Sequence, residues 1–438
     1  MQKFSLIELP YIDKLNSYYQ KLAHLPGFVL LESADSARGR YDILSAYPYN
    51  ILSSETFTAN TFLDALQRNI PPVDYQLDLP FQGGAIGFFS YDFGCELADI
   101  NLKEQQALVN LPSAQVGLYD WAIITDHHLK KIVLFAANTQ VETASIVKEI
   151  LLKWYGQEET IAADYVLQKN FMPLINKIQY QEAFKAIHES LKQGRCYQVN
   201  YTQPFKTSYQ GDPWAIYSKI RAYNPVPFGA FMKMGEAYIL SFSPERFIKL
   251  EKGRLLTSPI KGTKSRGQSE EIDLLLKQQL EACPKNRAEN IMIVDLMRND
   301  LGKIAKVGTV NVSTLCAVES YQAVHHLVSH ITADCVDIIS PVAAFANCFP
   351  GGSITGAPKR EAMQIIAEQE RYRRGVYCGS IGYFSAHGQF DTNIAIRTMF
   401  AADNELYLAA GGGIVIDSIY DEEYEECFTK IAGILQGL

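Results

Sequence analysis

No pair among the eight cysteines is spaced C-x-x-C; they lie scattered at Cys95, Cys196, Cys283, Cys316, Cys335, Cys348, Cys378 and Cys427. That argues against a zinc cluster. Dispersed thiols in apolar stretches suit buried free cysteines in a reducing compartment. No apolar run reaches membrane-spanning length, and Met1–Ser5 opens no signal peptide. No membrane partner and a cytoplasmic location are therefore expected. Charge of one sign is also missing in blocks: 40 basic and 48 acidic residues give a net −8 without a long run of either. This argues against a nucleic-acid partner and against an anionic membrane surface. An anionic substrate would have to be held by local cations or a metal. There is no repeat and no low-complexity tract. No cysteine sits in the G-x-C-x-G setting of a glutaminase nucleophile.

The 438 residues are 47% hydrophobic and 20% charged, as expected of a globular chain with a large core. Residues 1–165 are rich in aromatics and short β-like runs. Phe28–Leu31 and Gly83–Phe89 read as strands. Trp121–Thr125 and Ile132–Phe135 read as a hairpin, and Val141–Tyr155 reads as a helix. A weak linker is expected over residues 156–170. In residues 166–438, helices are expected at Tyr180–Gln193, Glu270–Ala282, Lys285–Asn299 and Asp421–Leu435, and a strand at Ala237–Phe242. Ser418 and Asp421 are placed as a possible capping box for the last helix. A three-strand meander is expected from Val376–Ser385, Phe390–Ala401 and Glu405–Ala410. Hairpins mixed with separate helices give an α+β class with mainly antiparallel sheet. Short linkers favour one intertwined body over separable domains.

Several constellations could carry chemistry. Glu289 falls in line with Met292, Ile293 and Leu296, and a carboxylate on an apolar stripe needs a partner or a cation. Glu423, Glu426 and Lys430 follow at i, i+3 and i+7 on the last helix. Taken alone they are more often a solvated face. Phe349–Lys359 is a glycine-rich loop feeding a helix, with Pro358 placed at the first helical position. It fails as a P-loop because Ala357, not lysine, follows Gly356. Arg397 would share one face of its strand with Asp391, Asn393 and Ala395. Gly411–Gly413 would let a ligand approach the backbone. Lys261, between Ile260 and Gly262, would become a nucleophile if desolvated. Glu245 beside Arg246, and His326, read by spacing as a surface ion pair and a hydrogen-bonded core histidine.

Ser243–Phe247, Pro259–Thr263, Arg287–Asp300, Gly351–Lys359 and the last helix occur together and in this order. In these segments the chain resembles the chorismate-utilising enzymes. The likeness extends to Leu79–Gly84 and Tyr119–Trp121, so it covers nearly the whole sequence. It implies two antiparallel sheets packed around a central site with helices outside. It further implies that Glu289 and Glu426, with Glu423 behind them, bind Mg2+. Glu245 becomes the acid/base serving the departing hydroxyl of chorismate. Tyr377, Arg397, Lys430 and the backbone of Gly411, Gly412 and Gly413 become holders of the substrate carboxylates. His326 is placed near the enolpyruvyl group, and Ser353, Thr355 and Gly356 in the substrate loop.

Two positions discriminate within that family. Water-using members carry a lysine where this chain has Gln198, which cannot act as a base near neutral pH. Anthranilate-forming members usually carry a small residue where this chain has Lys261. By resemblance, Lys261 attacks ring carbon 2 as the 4-hydroxyl leaves. Ammonia then adds at carbon 4, and the enolpyruvyl group stays. The missing glutaminase segment implies a separate glutamine amidotransferase subunit as the source of ammonia. Ser33, Pro227 and Phe228 lie in segments resembling a tryptophan pocket of the family. The competing readings are an anthranilate-forming subunit and a non-catalytic nucleotide- or anion-binding module built on the glycine loop.

Overall fold

The computed structural model describes residues 4–12, 14–35, 39–73, 75–156, 164–321, 324–436 and 438. Residues 157–163 of the linker expected over 156–170 lie outside the described residues; the described part holds the strand Tyr165–Leu167. Two antiparallel sheets dominate, of thirteen and ten strands among the described residues. The first runs from Ser5–Leu9 through Lys131–Ala136, Trp121–Asp126, Tyr41–Ser45, Val29–Glu32, Phe228–Met234, Ala237–Ser243, Thr398–Ala402 and Glu405–Ile414 to Gln198–Gly211. The second contains, in order, Ile260–Ser265, Val324–Asp334, Arg254–Thr257, Arg246–Glu251, Phe390–Asn393, Ser380–Ser385, Gly84–Phe89, Ala114–Tyr119 and Asn50–Ser53. Each sheet takes strands from either side of residue 165, so no cut there leaves a closed sheet.

The local chemistry accounts for the main elements. Gly84–Phe89 is buried throughout and runs between two strands. An added Cβ on Gly87 would lie 2.2 Å from the Gln115 carbonyl oxygen. The helix Lys177–Lys192 starts three residues before the expected point. Asn176 and Gln179 form a reciprocal capping box there. Pro284 opens the helix Pro284–Gly302 rather than merely separating two helices. The last helix, Tyr420–Leu435, has no side-chain cap. Ser418 instead donates to Glu423 at 2.7 Å, so the expected Ser418–Asp421 box does not form. Pro358 is the cap residue of Lys359–Gln369, one place before the expected position.

The expected meander needs the largest correction. Phe390–Ala401 is not one strand: Phe390–Asn393 belongs to the second sheet and Thr398–Ala402 to the first. The chain crosses between sheets over residues 394–397, where Arg397 takes φ +52°. A second crossing lies beside it, at Pro244 and Glu245, between Ala237–Ser243 and Arg246–Glu251. The crossings are tied together. Ile394 N–H donates to the Glu245 carbonyl at 3.0 Å, and the Ser243 hydroxyl donates to the Ile394 carbonyl at 2.6 Å. This corner, where strands leave one sheet for the other, frames a polar cavity.

Candidate active site

A cavity of about 400 Å³ opens between the sheets, beside the helices Pro284–Gly302 and Tyr420–Leu435. Its wall includes Glu245, Lys261, Glu289, His326, Ser353, Tyr377, Arg397, Gly411, Gly413, Glu426 and Lys430. These come from segments as far apart as 245 and 430, so the fold gathers most of the residues singled out in the sequence. Gln198, Thr355, Gly356, Gly412 and Glu423 are not on the wall. Thr355 is buried, with its hydroxyl donating to the carbonyls of Gly351 and Gly352 at 3.0 and 3.2 Å. Gly356 pairs with Val199 on the adjacent strand. Both shape the loop that presents Ser353. Gln198 is buried behind Gly413, where an added Cβ would stand 1.7 Å from its Nε2. A side chain at 413 would displace the Gln198 amide, a constraint invisible in the local sequence.

Lys261 is placed by an irregular strand edge. Ile260–Ser265 pairs antiparallel with Val324–Asp334, and the register shifts between Lys261 and Thr263. Gly262 at that bulge has φ +74°, and an added Cβ would come within 2.8 Å of Asn286. The bulge lets Lys261 and Thr263 both line the cavity. Burial pushes the Lys261 ammonium below its ordinary value; Glu289 and Glu245 oppose the shift, and Lys430 reinforces it. A lowered ammonium pKa favours the free amine that nucleophilic work requires.

Glu245 is 6% exposed. It is not a surface partner of Arg246, which instead grips Asp391 with two hydrogen bonds of 2.9 and 3.1 Å. Burial pushes the Glu245 carboxyl up to about 7, against the Lys261 charge and hydrogen bonds from Ser353 and the Ile260 backbone. A carboxyl poised near neutrality can give up a proton and take it back. His326 accepts or shares a hydrogen bond with Thr263 at 2.9 Å through Nδ1. It is a bonded histidine, as its spacing suggests, and it also faces the cavity.

The cationic side is equally built. Lys430 donates to the Gly411 carbonyl at 2.7 Å and pairs with Glu426 at 2.6 Å. Asn290, next to Glu289, is buried and accepts a bond from Ser329 on the strand carrying His326. That fixes the helix face from which Glu289 reaches the cavity.

Among the described residues no group of three or more His, Cys, Asp or Glu forms a closed metal site. An open one is another matter, because magnesium takes one or two carboxylates and leaves its other positions to water and substrate. Glu289 and Glu426 meet that description on the cavity wall. Glu423 backs them: its Oε2 and the Oε1 of Glu426 converge on Gly412, at 2.8 and 3.3 Å from an added Cβ. Burial raises the Glu423 carboxyl; Ser418 lowers it, and the charge of Glu426 raises it further. A divalent cation would relieve that repulsion, so the all-oxygen donor set fits the ion.

A substrate-sized cavity at a sheet corner, with a desolvated lysine, a near-neutral carboxyl and paired glutamates, defines an enzyme site acting on an anionic small molecule. The chain belongs to the chorismate binding enzyme family, which matches residues 29–436. It is 40% identical to the aminodeoxychorismate synthase component 1 of Salmonella typhimurium, over 99% of this chain and 98% of that protein. It is likewise 40% identical to the Escherichia coli protein of the same name, over 97% and 96%. Anthranilate synthase component 1 of Acetivibrio thermocellus is 31% identical, over 93% and 89%. Among solved structures, anthranilate synthase component I from Streptococcus pneumoniae superposes with a TM-score of 0.81 at 29% identity, covering 90% of this chain and 92% of that one.

A second cavity, of about 240 Å³, is lined by Ser33, Tyr41, Pro227, Phe228, Arg246 and Tyr383, among others. It brings together the three residues placed in the tryptophan-like segments. Ser33 is anchored there, donating from its hydroxyl to the Pro227 carbonyl at 3.0 Å and from its N–H to Asp42 at 2.7 Å. Among the described residues no helix is long and apolar enough to cross a membrane.

Proposed function

We propose that this chain aminates chorismate at ring carbon 4, forming 4-amino-4-deoxychorismate for 4-aminobenzoate and folate synthesis. The observation that carries the reading is Lys261, half-buried and desolvated in one cavity with Glu245 and Glu289. Near-full-length identity of 40% to proteins named aminodeoxychorismate synthase component 1 supports it. Arg397, Tyr377 and Lys430 hold the two substrate carboxylates. Glu245 gives a proton to the 4-hydroxyl, which leaves as water while the Lys261 amine bonds to carbon 2. Ammonia then bonds to carbon 4, the ring double bonds shift back, and the lysine departs. Glu289 and Glu426, backed by Glu423, would hold Mg2+, which when bound neutralises and orients a substrate carboxylate. A separate glutamine amidotransferase supplies the ammonia in a soluble, cytoplasmic complex. The test is the product formed from chorismate and ammonium salts: an amine that keeps its enolpyruvyl group supports the reading, and anthranilate with free pyruvate overturns it.

The acid role of Glu245 has a pH signature. Its carboxyl is raised to about 7, so the protonated form is present below that pH and is lost above it. With free ammonia held constant, kcat/KM for chorismate should fall on the alkaline side of about pH 7. Glu245→Gln should remove that limb and lower the rate about a hundredfold. An unchanged limb in the variant would assign the titration to another group.

The second cavity supports a further part of the reading: L-tryptophan binds at Ser33, Pro227 and Phe228. Aromatic walls suit the indole, and the Arg246–Asp391 pair offers both charges to the amino-acid group. L-tryptophan should raise the melting temperature in proportion to the logarithm of its concentration above Kd. No shift at millimolar tryptophan would remove the assignment.

A further inference from the structure

Behind the cavity lies a buried ion pair that the chemistry above does not use. The side chains of Arg374 and Glu370 are 2% and 3% exposed. Arg374 Nε and Nη2 donate to the two Glu370 oxygens at 2.9 and 2.7 Å. Its remaining donors leave the pair: Nη1 reaches the Ile354 carbonyl at 2.9 Å and Nη2 the Asn200 carbonyl at 2.6 Å. Glu370 in turn accepts from the Thr202 N–H and hydroxyl at 3.0 and 2.9 Å. The guanidinium lies over the Tyr91 ring, 4.4 Å from its centroid.

The anchored carbonyls matter because of what they carry. Asn200, Ile354 and its neighbour Ser353 line the cavity, and so does Tyr377, three residues beyond Arg374. The Asn200 N–H donates to the Thr355 carbonyl at 2.8 Å, closing a link between strand and loop. The Tyr91 N–H donates to the Gly375 carbonyl at 2.9 Å, holding the segment that bears Tyr377. Three wall segments with no sequence continuity, around residues 200, 354 and 377, therefore meet at one guanidinium. A buried ion pair is a poor device for stability, since apolar residues of like volume often do as well. It is a good device for geometry, because the planar fork fixes several acceptors at once and a lysine cannot.

We infer that Arg374 and Glu370 are positioning residues for the substrate wall: they hold Asn200, Ser353 and Tyr377 in the arrangement that binds the anionic ring substrate. The inference rests on the functional reading above. Loosening the wall weakens ground-state and transition-state contacts together, so the loss appears in KM rather than kcat.

The experiment compares wild type, Arg374→Lys, Glu370→Gln and the milder Thr202→Val, with chorismate, magnesium and ammonium salts, at a temperature where each is folded by circular dichroism. The expected result is a KM for chorismate raised about tenfold in Arg374→Lys and Glu370→Gln, and less in Thr202→Val, with kcat within about twofold of wild type. Should the two charged variants not fold, Thr202→Val decides alone, with a KM raised about threefold expected. Wild-type KM in folded variants, whatever their melting temperature, would make the pair purely structural and overturn the inference. No turnover of chorismate by the wild type would instead overturn the functional reading.

Discussion

Lys261→Ala should lower amination of chorismate about a hundredfold or more while leaving the fold intact. The amine sits half-buried at a strand bulge, and its removal takes away a desolvated group rather than breaking a bonded core. Residual turnover is expected from ammonia attacking directly, since the groups that hold substrate and metal remain. The wild-type protein should show the complementary signature. Given chorismate and magnesium without ammonia, the carbon–nitrogen bond to Lys261 forms and water leaves, but nothing displaces the lysine. Intact-mass spectrometry with peptide mapping should find that adduct on the peptide containing Lys261, and Lys261→Ala should lack it. Wild-type protein without an adduct under these conditions would leave Lys261 as an electrostatic or binding residue.

Glu289→Ala and Glu426→Ala should each lower activity about a hundredfold or more, and excess chelator should do the same to the wild type. Stability should change little. Glu289 is half-buried on a helix anchored separately by Asn290. The Glu426 side chain is 44% exposed, and its pairing with Lys430 is worth at most about 1 kcal/mol at such exposure. Glu423 behaves differently, because it is buried and bonded to Ser418. Glu423→Ala removes that hydrogen bond and should cost about 1 kcal/mol besides its effect on the metal. Full activity of the wild type in excess chelator, or of both wall variants, would remove the metal from the account.

Much of this was legible in the chain because it depends on residue type in local order. The helix Glu270–Ala282 falls where its periodicity places it. The hairpin Trp121–Asp126 with Lys131–Ala136 follows from two short apolar β-like runs around a polar turn. What local pattern could not show was the change of sheet. Phe390–Ala401 has continuous strand composition, and nothing in it marks the point where its hydrogen-bond partners change. For the same reason the alternation argument put Arg397 on a strand face, whereas it stands in the crossing with a left-handed backbone. Glu245 was obscured by its neighbour: adjacent opposite charges suggest a surface pair, yet Arg246 turns to Asp391 across the sheet. The Arg374–Glu370 pair escaped notice because both residues lie in the irregular segment after the helix Lys359–Gln369, where no periodicity marks a partner. Only its burial and its reach to residues 200 and 354 set it apart.

Product identity tests the central claim most directly. Purified chain is incubated with chorismate, magnesium and either nitrogen-15 ammonium or glutamine, and the products are separated and weighed by mass spectrometry, with pyruvate assayed in parallel. The account predicts one labelled nitrogen in a product that retains the enolpyruvyl group, no pyruvate, and no amination from glutamine until an amidotransferase subunit is added. Labelled anthranilate with an equivalent of pyruvate, or an unlabelled isomer of chorismate formed with water, would contradict it.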